Sequence, residues 1–92
     1  MNNIPPRFMV SQFGTILHIY HADSGQGLSR HDHTYPHLTM CHAGSIIVRK
    51  EGRELVMTKD TQPVNLVANE WHEIEALEDG TVFVNVFAEN KY

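Results

Sequence analysis

Ninety-two residues with seven Lys and Arg against eleven Asp and Glu carry a formal net charge of -4, and the scattered cations form no basic stripe that would suit a nucleic acid. With 41% hydrophobic and 20% charged residues the chain has the composition of a folded protein, sized for a single domain over 1–92 with one modest core. No apolar run approaches the roughly 20 residues of a spanning helix, and the opening MNNIPPRFMVSQ lacks the charged start and apolar stretch of a signal peptide, so no membrane partner is expected and the cytoplasm is the expected compartment.

In chain order, RFMVSQFG and TILHIYHA are β-branched and aromatic runs on either side of Gly14 and read as strands. DSGQGLSR reads as a loop from its Gly and Ser content. YPHLTMCHAG is extended, because Pro36 keeps Tyr35 out of helical geometry. SIIVRKEGRELVM reads as a hairpin turning at Lys50-Glu51-Gly52-Arg53. QPVNLVA is a further strand that ends at Asn69, a residue tolerant of left-handed backbone. WHEIEAL alternates, with His72, Ile74 and Ala76 on the apolar, inward side. EDG is a turn, and TVFVNVFA is the last strand, apolar on both faces. The tail at 89–92 is expected to fray. Many short strands at this spacing predict an all-β barrel or sandwich.

Histidine is the unusual residue. There are seven, and RHDHTYPHLTMCHAG holds His31, His33, His37 and His42. On an extended segment His31, His33 and His37 share a parity and converge on one face. His42 has the opposite parity, with Leu38 and Met40, and is a bystander. A buried imidazole needs a partner for its polar nitrogens. A metal ion answers that need for three rings at once, and histidine is its commonest ligand. His72 is the fourth candidate ligand. Cys41, the only cysteine, excludes a disulfide framework and a thiolate zinc cage, and is expected to be a small buried hydrophobe. His18 and Tyr20 share a face and could reach a pocket, though a satisfied or surface role is the simpler expectation. Asn85 is a polar candidate for a ligand contact or a structural hydrogen bond.

The histidine stretch resembles the first motif of the cupin family, G-x5-H-x-H-x3-E-x6-G. Gly25, His31, His33, position 37 and Gly44 fit every spacing, with His37 where the family usually has glutamate. The second motif, G-x5-P-x-G-x2-H-x3-N, matches at His72. Thr61, Val67, Asn69 and Ala76 replace its other positions. The resemblance implies a cupin double-stranded β-helix, or jelly-roll, barrel. It implies a divalent transition metal (Ni, Zn, Fe, Mn or Cu) on His31, His33, His37 and His72. An all-nitrogen site leaves the ion its full charge, which suits Lewis-acid work or a bound anionic substrate. The function expected is that of a metalloenzyme on a small, polar, oxygen-rich molecule, of isomerase, lyase or dioxygenase type. Similar four-histidine cupins include one that opens the ring of unsaturated uronic acids. The alternative is a non-catalytic metal or small-ligand binding module. A homodimer is expected, because Leu38, Met40 and His42 should form an outward stripe.

Overall fold

The computed structural model describes residues 1–88, and the expected fraying at 89–92 lies outside them. The described residues form ten strands and no helix: β1 (Asn2–Asn3), β2 (Phe8–Gln12), β3 (Thr15–Ala22), β4 (Gln26–His31), β5 (His37–Ala43), β6 (Ser45–Lys50), β7 (Arg53–Thr58), β8 (Val64–Leu66), β9 (His72–Ala76) and β10 (Thr81–Ala88). The all-β expectation holds. One five-stranded sheet has the order β1-β4-β9-β6-β7 and the other β2-β3-β10-β5-β8. Every pairing is antiparallel except β1 with β4.

The core lies between the sheets. Ile46, Val48, Met57, Ile74 and Phe83 are fully buried there, and Leu66 nearly so. They come from β6, β7, β8, β9 and β10, each contributing the inward half of an alternating strand. The Tyr20 ring stacks on Phe83 with centroids 4.7 Å apart. Cys41 is buried in the same cluster, and its thiol donates to the Ala43 carbonyl. It is the buried hydrophobe expected. In β10 the inward set is Thr81, Phe83, Asn85 and Phe87, while the valines between them face out.

Two glycines are fixed by close approach. Gly44 has φ +72, and a side chain there would strike Thr81. Gly27 sits so close to β9 that a Cβ would collide with the Ile74 carbonyl. Gly27 also corrects the reading of DSGQGLSR as a loop. Only its first residues turn, and Gln26–His31 is a strand, hydrogen-bonded between β1 and β9. The glycine that lowers strand propensity here is the one that lets two strands approach. The strand expected in QPVNLVA is shorter than its sequence signal, covering Val64–Leu66. Asn69 does take left-handed backbone, at φ 63.

Gly27→Ala is therefore expected to destabilise the fold by about 2 kcal/mol or more, lowering the thermal midpoint by roughly 10 °C. A melting curve unchanged by the substitution would contradict this packing.

Candidate metal centre

The four histidines reach one place by three different routes. β4 and β9 pair Leu28 with Ile74 and His31 with His72, so three steps along β4 match two along β9. The extra residue is a β-bulge. Without it Arg30 would stand opposite His72. With it His31 takes the inward position, and Arg30 turns outward, its guanidinium 4.1 Å over the Trp71 ring. His72 starts β9, between His31 on β4 and Lys50 on β6. His33 lies in the loop between β4 and β5, and its carbonyl accepts the Asn69 amide at 2.8 Å. His37 opens β5, in the opposite sheet.

The expectation that His31, His33 and His37 converge by alternation along one extended segment is therefore corrected. The segment is a crossover between sheets, and the rings meet across the gap. His31 and His72 have ring centroids 4.5 Å apart, and His33 lies 4.9 Å from both His72 and His37. His37 and His72 are 5.2 Å apart. One ring nitrogen from each of His31, His33 and His72 falls within 4.8 Å of the others. His37 is adjacent to that trio without belonging to its tightest set. His42 points away and is exposed, as expected.

Hydrogen bonds decide which nitrogens face the centre. Nδ1 of His31 is 2.7 Å from the Ser29 carbonyl, Nδ1 of His33 is 2.7 Å from the Tyr35 carbonyl, and Nδ1 of His72 is 3.2 Å from the Glu70 carbonyl. A carbonyl only accepts, so each Nδ1 carries the proton. For His37 the partners are the Leu38 carbonyl at 3.4 Å and Thr39 Oγ1 at 3.2 Å, and Thr39 itself donates to Asn85 Oδ1 at 2.7 Å. The Thr39 proton is thereby committed to Asn85, and His37 Nδ1 is the donor in turn. All four rings are thus held as Nδ1–H tautomers with a lone pair on Nε2. Metal-binding imidazoles are ordinarily anchored in this way, through the nitrogen that does not ligate.

His72 provides the test of fit. It is 1% exposed, and its Nε2 is the single buried side-chain N or O atom without a hydrogen-bond partner among the described residues. A buried lone pair without a partner is costly. A cation among these nitrogens removes that penalty, and the donor set suits a divalent transition metal. Protonation is the poorer remedy. Burial, reinforced by the neighbouring rings, pushes the pKa of His37 and of His72 down to about 4.

Beside the rings a pocket of about 370 Å³ opens. His18, Tyr20, Tyr35 and Phe87 form an aromatic wall, while Asn3, Ser29 and Asn85 supply polar groups. Among the described residues, no Asp, Glu, Lys or Arg belongs to the lining. His18 and Tyr20 thus stand in the pocket wall, where a satisfied or surface role was the simpler expectation. Burial lowers the His18 pKa and raises those of Tyr20 and Tyr35. Tyr35 and Phe87 were missed in the sequence. Tyr35 had a signal, since it lies between two of the histidines, and its ring stacks 4.4 Å from His33. Phe87 had none.

No protein-family model and no curated protein matches the sequence. Solved structures do match. KdgF from Halomonas sp. superposes with a TM-score of 0.79 at 17% identity, covering 88% of this chain and 74% of that one. A cupin-2 domain protein from Shewanella frigidimarina gives 0.75 at 9% identity, covering 97% and 84%. A cupin superfamily protein from Desulfitobacterium hafniense gives 0.71 at 10%, covering 86% and 71%. At these identities the likeness is one of fold, the jelly-roll barrel that these cupin structures share.

The lowered pKa values fix the pH response of the metal-free protein. Between pH 6.5 and about 4 the unfolded chain binds protons at His37 and His72 that the folded chain refuses. The contribution of these two rings to stability then falls as pH falls through that window, by on the order of 3 kcal/mol, and is level above pH 7. Urea titrations of metal-free protein at pH 7, 5.5 and 4.5 check this. Equal midpoints would contradict the burial of neutral rings.

Proposed function

We propose that this cupin-fold chain is a metal-dependent enzyme acting on a small, polar, oxygen-rich molecule. His31, His33, His37 and His72 together hold one divalent transition metal, and the chemistry is of the isomerase, lyase or dioxygenase type. The observation that carries the reading is the buried, unpartnered Nε2 of His72 within a ring of anchored imidazoles. A bound divalent ion would act there as a Lewis acid on a substrate oxygen.

The protein's own groups define what such a substrate looks like. A pocket of about 370 Å³ is near the lower end of the roughly 300–1,000 Å³ range of ligand sites, which selects a small molecule. Among the described residues its walls carry no formal charge, so a carboxylate or enolate is drawn to the histidine end. Tyr35 and Phe87, with centroids 5.7 Å apart, offer a flat apolar surface to the rest of the molecule. Tyr20 and Tyr35, with pKa values raised by burial, stay protonated and can donate to substrate oxygen. His18, with its pKa lowered by burial, is neutral and able to accept a proton. The sugar-acid class remains within this description. We further take the working unit to be a homodimer in the cytoplasm.

Among the described residues the pocket lining holds no carboxylate or lysine, which favours a second reading, a non-catalytic module that binds a metal or a small ligand. Turnover separates the two. Loaded with Ni or Zn and given sugar acids and other hydroxy-carbonyl compounds, or with Fe or Cu and oxygen, the enzyme consumes at least one of them. His18→Ala then keeps the metal and lowers kcat about 100-fold. Tight binding without consumption across the panel would transfer the site to the binding module.

A further inference from the structure

Two asparagines line the pocket, and each has the carbonyl half of its amide tied to the protein. Asn85, on β10, stands opposite Thr39 on β5, and its Oδ1 accepts the Thr39 hydroxyl at 2.7 Å. Asn3, on β1 in the other sheet, accepts the Ser29 amide on its own Oδ1, also at 2.7 Å. The half of each amide left over is Nδ2, which only donates. Asn85 is 6% exposed, yet the one buried side-chain N or O atom without a partner among the described residues is His72 Nε2. Asn85 Nδ2 is therefore reached from the pocket and is not sealed in the core.

The direction of the Asn85 amide follows from His37. Nδ1 of that ring faces the Leu38 carbonyl, which only accepts, so Nδ1 carries a proton and offers it to Thr39 Oγ1 as well. Thr39, accepting from His37, gives its own proton to Asn85 Oδ1. Asn85 must then turn Nδ2 the other way. Every donor in the line points in one sense, from His37 to Thr39, from Thr39 to Asn85, and from Asn85 into the pocket. Hydrogen bonds in such a line polarise one another. An acceptor placed on Nδ2 makes Oδ1 a stronger acceptor and Thr39 Oγ1 a stronger one in turn. More electron density is then left on His37 Nε2, the nitrogen with the lone pair. Thr39 is fully buried, so no water screens the effect. Asn3 has no such line. The Ser29 carbonyl accepts from His31 Nδ1, but the Ser29 N–H that reaches Asn3 belongs to a different peptide unit. The Asn3 donor is fixed in place and electronically separate from the histidines.

We propose that Asn85 determines specificity in this pocket by demanding an acceptor oxygen, a carboxylate or carbonyl, at Nδ2, and that Thr39 is a positioning residue coupling that contact to the hold of His37 on the metal. The proposal rests on the metal-dependent reading of the site and states which group of the small oxygen-rich molecule is read beside the histidines. An ammonium or N–H group meets Nδ2 donor against donor and is rejected. The hydroxyls of Tyr20, Tyr35 and Ser29, which both give and accept, make no such choice. The coupling is reciprocal, so a ligand that tightens the metal is itself bound more tightly when the metal is present. Ligand contact and structural hydrogen bond, the two roles open to Asn85 in the sequence, are then both filled, one by each end of the amide.

Two affinities test this, that of nickel by chelator competition and that of glycolate, a minimal hydroxy-carboxylate, by calorimetry on protein saturated with nickel. The wild type is expected to bind both. Thr39 is absent from the pocket lining, so Thr39→Val cuts the line without touching the ligand. It should weaken nickel about 10-fold and, with nickel still saturating, weaken glycolate about 10-fold as well. Thr39→Ser should restore both. Asn85→Asp keeps an acceptor for Thr39 and removes the donor, so it should retain nickel and lose glycolate by at least about 10-fold. Asn3→Ala should leave nickel affinity unchanged. Wild-type glycolate affinity in Thr39→Val overturns the coupling, and in Asn85→Asp it overturns the demand for an acceptor. If Thr39→Val does not fold, Asn85→Asp decides alone. A wild type that takes nickel but no glycolate overturns the proposal and leaves the metal centre standing. A wild type that takes no nickel overturns both.

Discussion

The structure turns on a division of labour within each imidazole. One nitrogen of every clustered histidine is committed to the protein itself, through carbonyls at Ser29, Tyr35 and Glu70 and through the Thr39 hydroxyl. That commitment orients the ring and fixes its tautomer, and it sends the other lone pair toward a shared centre. Burial makes the arrangement consequential. In water four lone pairs would each find a solvent proton; at His72 there is none to find. Neutral rings packed 4.5 to 5.5 Å apart also resist protonation, because each new charge would be buried beside its neighbours. A cation is the species that would satisfy the nitrogens of His31, His33 and His72 together.

The barrel supplies the geometry that this requires. A bulge in β4 turns His31 inward, a crossover loop carries His33 between the sheets, and β5 returns with His37. Gly27 and Gly44 allow the strand approaches on which these positions depend. Thr39 and Asn85 show how far the support extends. They sit on different strands, 46 residues apart, and their hydrogen bond holds a third residue in place.

Much of this was legible in the sequence, for identifiable reasons. Strands such as TVFVNVFA and WHEIEAL declare themselves by alternation, and His72 could be assigned an inward position from Ile74 and Ala76 alone. The spacing of His31, His33 and His37 matched a known motif. The mechanism of their convergence was hidden, because a bulge and a change of sheet are tertiary events that leave no periodic trace. Gln26–His31 was hidden for a related reason: its Gly and Ser content is a loop signal locally and a packing requirement globally. Tyr35 and Phe87 lie far apart in the chain and meet only in the folded pocket. The outward stripe at Leu38 and Met40 was visible, whereas its continuation through Val84, Ile19 and Phe8 needed the register.

The most direct test of the account is the metal content of the untagged wild type, purified without added metal and compared with His72→Ala by plasma mass spectrometry. About one transition metal per chain in the wild type, lost in the variant, is the predicted result. Its identity would direct the chemistry, with Ni or Zn favouring isomerase or lyase assays and Fe or Cu favouring oxygen uptake. Wild-type protein that holds no metal even after reconstitution, or a variant that retains it in full, would contradict the claim that these imidazoles share an ion.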